Sequence, residues 1–130
     1  MSNKLYIMAA AALVYLISVT FTGIALAEQH TEDALKHADE AAHSIGDSQS
    51  IGEHAAEALK HIEAAKAAQA ANPDAVKRLE QSETELNAAV TNARRFNSGT
   101  AAEDAEEAKR NLEQAEGVAE TTNRNRAEQR

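Results

Sequence analysis

The chain has 130 residues, of which 21 are acidic and 13 basic, giving a net charge of −8 at pH 7. Aromatic residues make up only 3% of it, so little bulk is available to fill a large α/β core or enclose a deep substrate pocket. A conventional enzyme is therefore not expected. An acidic surface also repels the phosphates of nucleic acids and instead favours cations.

The first 27 residues have the pattern of a cleavable signal peptide. A short basic start precedes an apolar run from Leu5, and the small-x-small sequence Ala25-Leu26-Ala27 comes directly before polar sequence. The alternative is an uncleaved anchor, because an apolar run of about 20 residues is long enough to span a bilayer. We predict cleavage after Ala27, a periplasmic location and no stable membrane insertion afterwards. Since cysteine is absent, the exported part carries no disulfide.

The remaining 103 residues include 24 alanines, and their net charge is −9. Ala, Glu, Lys, Gln and Arg dominate them and all favour helix. Helix starts are predicted at two capping boxes, Ser50 with Glu53 and Thr100 with Glu103, and at Asn72-Pro73. Gly46 and residues 97–99 are expected to stop helices. Four helices are therefore predicted near residues 31–45, 51–71, 73–97 and 101–121.

Apolar residues recur in each segment with the spacing of a helix that buries one face. Glu83 interrupts this stripe in the third segment. The predicted core positions are, helix by helix, Leu35, Ala38, Ala42 and Ile45; Ala55, Leu59, Ile62 and Ala65; Val76, Leu79, Leu86, Val90 and Ala93; and Ala101, Ala105, Ala108, Leu112, Ala115 and Ala119.

Short connections make consecutive helices antiparallel, so the predicted fold is all-α. We expect an Ala-rich, up-down-up-down four-helix bundle over residues 28–121, after the signal peptide at 1–27. Residues 122–130 have no apolar periodicity and are expected to form a flexible C-terminal tail. The bundle is expected to be a monomer or a weak oligomer.

An internal repeat relates the first two helices. Residues 30–37 align with residues 54–61, and both copies end in Ala-Leu-Lys-His. Both also contain the pattern His-x-x-(Asp/Glu)-x-x-x-His, whose three residues lie on one flank of a helix, within about 60° of one another. Glu40 extends the first stripe. Because the helices are antiparallel, the stripes should either face each other, with His37 level with His61, or both lie on outer edges.

Such a flank suits a divalent metal ion, because imidazole is a neutral borderline donor and a carboxylate one turn away adds charge and an oxygen. His43 lies on the opposite flank beside Asp39 and is either a surface residue or a second, weak site. The full set of candidate ligands is His30, Asp33, His37, Glu40, His43, His54, Glu57 and His61.

The affinity order of divalent ions favours Cu²⁺, with Ni²⁺ and Zn²⁺ as alternatives. The part after residue 27 contains neither Cys nor Met, so Cu⁺ would find no soft ligand there. Binding should weaken below about pH 6, because protonated imidazole does not ligate metals.

A plainer interpretation is that the histidines are polar surface and that the carboxylates pair with Lys36 and Lys60. The chain would then be a structural or protein-interaction bundle of the cell envelope with no metal role.

The sequence resembles the small metal-binding proteins of nitrifying and related bacteria. The resemblance is carried by the repeated Ala-Leu-Lys-His, the histidine-bearing stretch at 53–66 and the predicted signal peptide. The resemblance covers the layout of the whole exported part and, in motif detail, residues 30–66. It implies a periplasmic four-helix bundle that binds copper and other divalent metals. It gives the ligand role to His30, His37, His54 and His61, with His43 aligned less securely.

Two positions depart from the family's pattern, in which histidines occur throughout the chain. Arg78 and Asn111 stand where the repeat would carry a histidine. We therefore expect this chain to bind fewer ions than a fully histidine-bearing member.

Overall fold

The computed structural model describes residues 25–129, so nearly all of the predicted signal peptide lies outside the described residues. Residues 25–129 contain no strand and form four helices: α1, whose described part covers 25–43, α2 (Ser48–Ala68), α3 (Pro73–Arg94) and α4 (Ser98–Glu128). Connections of three or four residues turn each helix back along its predecessor. This confirms the all-α four-helix bundle. No helix in the described part of the chain is long and apolar enough to cross a membrane.

Polar contacts connect each helix to its two neighbours around the bundle. Lys66 of α2 lies 2.7 Å from Glu83 of α3, and Lys109 of α4 lies 2.8 Å from Asp39 of α1. The Ser82 hydroxyl of α3 donates a hydrogen bond to the Ala108 carbonyl of α4, and His30 of α1 lies beside His61 of α2. The four helices therefore enclose a single core.

In every helix the core residues form a stripe along one face, and they are spaced alternately three and four residues apart. In α4 the stripe is the one predicted, from Ala101 to Ala119. Most core residues are alanines, so the helices approach closely and bury little area per residue. The large apolar side chains that are completely buried are Ile51, Ile62, Leu79, Leu86 and Leu112.

Several core predictions need correction. Leu35, Leu59 and Val90 are only partly buried and pack against the core, and Val76 is half-buried. Ile45 lies in the turn after α1 and is 75% exposed, because the stripe of α1 runs through Ala34, Ala38 and Ala41. In α3 the stripe is not interrupted, since it passes through the completely buried Ser82. The Ser82 hydroxyl lies 3.2 Å from the carbonyl of Ala108 on α4, so this polar side chain is hydrogen-bonded.

The residues that cap α2 and α4 also differ from those predicted. α2 begins at Ser48, and the Asp47 carboxylate accepts a hydrogen bond from the backbone N–H of Ser50 at 3.0 Å. The predicted capping box at Ser50 is therefore wrong. The Thr100 capping box is also wrong, because α4 begins at Ser98, three residues earlier than predicted, with Asn97 at the N-cap. Asn72 caps α3 as predicted, accepting from the N–H of Ala75 with Pro73 at the first position.

Left-handed backbone occurs in two of the connections. Gly46, with φ of +94°, lies in the turn after α1, where the sequence predicts a stop. The turn after α3 instead uses Phe96, with φ of 58° and a side chain that is 89% exposed. Such a conformation is rare for an aromatic residue, so the sequence could not indicate it. The predicted stop at residues 97–99 lies at the start of α4.

α4 is longer than predicted, because it continues to Glu128 instead of ending near residue 121. An ion pair between Arg124 and Glu120 one turn apart, at 2.8 Å, supports this last part. The Asn123 amide also reaches the Glu28 carboxylate on α1 at 3.3 Å. The segment from residue 122 is therefore helical up to Glu128, while its flexibility stays a prediction.

Candidate metal centre

The histidine stripes of α1 and α2 face each other, which is the first of the two arrangements expected. The antiparallel turn brings His37 level with His61, with ring centroids 5.7 Å apart and planes 17° from parallel. His61 also lies 5.7 Å from His30, and His37 lies 5.8 Å from His54. The four rings thus form a continuous row, the imidazole ladder, in the order His30, His61, His37, His54.

At one end of the ladder, His30, Asp33 and His61 form the His30 cluster. The Nδ1 atoms of His30 and His61 are 3.4 Å apart, and a carboxylate oxygen of Asp33 lies 3.8 Å from the His61 Nδ1. One donor atom from each residue falls within 4.8 Å of the other two. Two helices therefore contribute to one compact group of two nitrogens and one oxygen.

At the other end, His37, Glu40 and His54 form the Glu40 cluster. A single carboxylate oxygen of Glu40 lies 3.1 Å from Nδ1 of His37 and 3.0 Å from Nδ1 of His54. These side chains retain between 27% and 37% exposure, so solvent reaches the cluster without surrounding it. The donor set is again two imidazoles and one carboxylate from facing helices.

The spacing of the donor atoms fits a bound metal ion. Two ligand atoms at about 2.0–2.1 Å from one ion lie about 2.8–3.4 Å apart when the angle between them is between square-planar and tetrahedral. The nitrogen pair in the His30 cluster and both nitrogen–oxygen pairs in the Glu40 cluster fall in this range. The 3.8 Å between the Asp33 oxygen and the His61 Nδ1 exceeds it, so Asp33 would have to move closer to bind the same ion. Either cluster could hold an ion by exchanging its internal hydrogen bonds for bonds to the metal.

Glu57 lies on the predicted stripe but belongs to neither cluster. The Lys60 ammonium one turn away lies 2.6 Å from its carboxylate. This hydrogen bond is the main reason that the pKa of Glu57 is lowered, and nearby His37 and His61 lower it further. The Glu57 carboxylate is therefore close enough to His37 and His61 to interact with them electrostatically, although its direct contact is with Lys60.

His43 is separated from the ladder, on the flank that the sequence assigns to it. Its Nδ1 lies 2.8 Å from the backbone carbonyl of Asp39 and 3.4 Å from that residue's carboxylate. Its side chain is 72% exposed. The structure thus brings six of the eight candidate ligands together and leaves Glu57 and His43 outside the two groups.

Sequence reasoning missed the side chains that position α1. Gln69, just after α2, is 7% exposed and donates from its amide to the Thr31 hydroxyl at 3.2 Å, next to His30. Asp39, next to Glu40, is held by Lys109 of α4. Gln69 and Thr31 are 38 residues apart in the chain, and Asp39 and Lys109 lie on the first and last helices. No local spacing rule could therefore have found them.

The Asp39–Lys109 pair predicts a pH dependence of stability. Its hydrogen bond lowers the pKa of Asp39 and raises that of Lys109, and burial partly opposes both shifts. A lowered carboxylate pKa stabilises the fold above the unfolded pKa of about 3.9, and this stabilisation is lost as the pH falls through the folded value. Lys109→Met should cost less than about 1 kcal/mol at pH 7, because Asp39 is nearly half exposed.

Urea unfolding of Lys109→Met and the parent at pH 7 and near pH 3 checks this prediction. The difference should be smaller at the lower pH, because the stabilisation by the Asp39 carboxylate is lost as the pH falls from its unfolded pKa through its lowered folded pKa. Lys77→Met is the control, because Lys77 is exposed and forms no ion pair with the described residues, so its effect on stability should not depend on pH in this way. A Lys109→Met difference that is unchanged at the lower pH would contradict the assignment.

A family model described as small metal-binding protein matches residues 2–115. The chain belongs to this family. The match includes both clusters and confirms the resemblance carried by the histidine repeats. No curated protein and no solved structure matches the chain. Family membership and the geometry of the two clusters together support metal ions as partners of this small metal-binding protein.

Proposed function

We propose that this protein is exported, is cleaved after Ala27, and binds divalent copper reversibly in the periplasm, buffering the ion without chemical turnover. One observation carries the proposal. Two groups of imidazole and carboxylate donors converge on facing helices, in a chain of the small metal-binding protein family.

The donor chemistry supports Cu²⁺ above other ions. Nitrogen and oxygen ligands favour Cu²⁺ in the affinity order of divalent ions, ahead of Ni²⁺ and Zn²⁺. The described residues offer no sulfur ligand for Cu⁺, since both methionines precede residue 25. Ca²⁺ and Mg²⁺ prefer sites made only of oxygen atoms, whereas each cluster has two imidazoles.

The exposure of the clusters supports a buffering role. Each cluster contributes three side-chain donors from two helices, and all of these side chains stay partly exposed to solvent. An ion held in this way keeps positions for water and can exchange with other ligands. A buried cage with four protein ligands, as in structural zinc sites, would instead retain its ion.

Titration calorimetry of the exported product with Cu²⁺, Ni²⁺, Zn²⁺ and Ca²⁺ tests the choice of metal. Saturable binding is expected for Cu²⁺, weaker binding for Ni²⁺ and Zn²⁺, and none for Ca²⁺. Binding of Cu²⁺ should also weaken below about pH 6, where imidazoles take up protons. A Cu²⁺ affinity no better than millimolar, or equal affinity for Ca²⁺, would contradict the proposal.

Cell fractionation followed by mass measurement tests export. Expression of the full chain should give a periplasmic product whose mass corresponds to residues 28–130. A product that stays in the membrane fraction with residues 1–27 attached would contradict export and leave copper binding to be judged by the titration alone.

A further inference from the structure

The residues that follow the proposed cleavage site are Glu28, Gln29 and His30. We infer that cleavage after Ala27 creates a separate Cu²⁺ site at the new amino terminus. Its ligands are the α-amino nitrogen of Glu28, the backbone nitrogens of Gln29 and His30, and the imidazole Nδ1 of His30. This inference rests on the proposed export, and it assigns a role to backbone atoms outside both clusters.

The chemistry of this site follows from the position of the histidine. A free amino group with histidine as the third residue offers four nitrogen atoms that can surround one ion in a plane, closing small chelate rings between neighbouring ligands. Square-planar nitrogen ligands suit Cu²⁺ and Ni²⁺. Binding releases one proton from the ammonium group and one from each of the two amides to solvent, and no electron is transferred.

In the structure these backbone nitrogens are part of α1, which covers residues 25–43 in its described part. The helical pattern directs the N–H of Gln29 to the carbonyl of Ala25 and the N–H of His30 to that of Leu26. Cleavage after Ala27 removes both acceptors. The first N–H groups of a helix have no partner within it, so the two amides that the site needs lose their helical hydrogen bonds.

Other features of this end allow the first turn to unwind. The side chains of Glu28 and Gln29 are exposed, so they contribute little packing. The Thr31 hydroxyl donates to the carbonyl of Ala27 at 2.9 Å. Cleavage also removes that acceptor. Unwinding the first turn of the shortened helix therefore breaks few contacts beyond the hydrogen bond from the Asn123 amide to the Glu28 carboxylate.

The surroundings of the new terminus are acidic. Five glutamates from α1 and α4 line the adjacent surface cleft: Glu28, Glu32, Glu113, Glu116 and Glu120. Their charge offsets both the positive end of the helix dipole and the charge of an arriving cation. The site is thus placed where the protein attracts metal ions.

His30 would belong to two sites that exclude each other. Its Nδ1 lies 3.4 Å from Nδ1 of His61 in the His30 cluster, and the amino-terminal site uses the same atom. Before cleavage the imidazole can serve only the cluster. After cleavage it can move to the amino terminus, so maturation changes how the chain distributes copper between its sites.

The exported products of the wild type and of two variants, Gln29→Pro and Gln29→Ala, test the inference. Proline has no backbone N–H and cannot become an amide ligand, although a helix tolerates it in its first turn. With one equivalent of Cu²⁺, the wild type and Gln29→Ala should show the short-wavelength visible band of four-nitrogen coordination. Gln29→Pro should show a band at longer wavelength, typical of imidazole and carboxylate ligands.

His61→Ala separates the new site from the His30 cluster, because it removes a cluster ligand and should leave the short-wavelength band in place. A Gln29→Pro product with the wild-type spectrum would overturn the inference, while copper binding by the two clusters would stand. An exported product that begins at a residue other than Glu28 would also overturn it. The absence of Cu²⁺ binding from all these products would contradict the proposed function itself.

Discussion

Replacing His37 and His61 together with alanine should remove tight Cu²⁺ binding by the two clusters. Each cluster then loses one of its two imidazoles, leaving one nitrogen and one carboxylate that cannot enclose an ion. Loss of a residue that merely orients a ligand typically costs 10–100-fold in affinity. Loss of a ligand itself should therefore cost about 100-fold or more. Calorimetric titration in the Gln29→Pro background measures this effect without a contribution from the amino terminus.

The matched control is His43→Ala, the same substitution at a histidine that lies outside both clusters and is 72% exposed. It should leave the affinity unchanged, and circular dichroism should show that all variants remain helical. Two results would contradict the assignment of the clusters. One is unchanged affinity in the double variant, and the other is an equally large loss in His43→Ala.

Leu86→Ala should destabilise the bundle by about 2–5 kcal/mol, the range for deleting a large buried aliphatic side chain. Leu86 is completely buried, and it is one of few large apolar side chains in a core made mostly of alanine. Total stabilities of about 5–15 kcal/mol are usual for native proteins, so this change should remove a large fraction. Urea unfolding of the metal-free protein, followed by far-ultraviolet circular dichroism, measures it.

Ile45→Ala is the control for this prediction. The side chain is 75% exposed, and surface substitutions usually change stability by less than about 0.5 kcal/mol. The sequence places Ile45 in the core, whereas the structure places it in solvent. Equal costs for Ile45→Ala and Leu86→Ala would therefore contradict the packing described above.

Much of the candidate site could be predicted because it depends on local rules. The flank shared by His54 and His61 follows from the rise and turn of a helix, and the repeat places equivalent residues on α1. The short turn then requires antiparallel pairing, which brings His37 beside His61. Helix periodicity and one connection length are sufficient for this part of the prediction.

The ligand set was less predictable, because ion pairs compete for the same carboxylates. Glu40 and Glu57 look alike in sequence, yet Glu40 contacts two histidines and Glu57 contacts Lys60. The difference depends on the rotation of α2 against α1 and on where the lysine side chain extends. Neither quantity is encoded in the spacing of residues along one helix.

By itself, the sequence determined that the protein is a small acidic helical bundle, with histidines on matching flanks of its first two helices and alanine where the helices pack together. These properties follow from composition, helix propensity and periodicity, which act within a single segment. The tertiary structure decided that Ser82 completes the core, that Ile45 is outside it, and that the ladder divides into two clusters. Those outcomes depend on contacts between segments far apart in the chain, where packing and charge pairing override local preference.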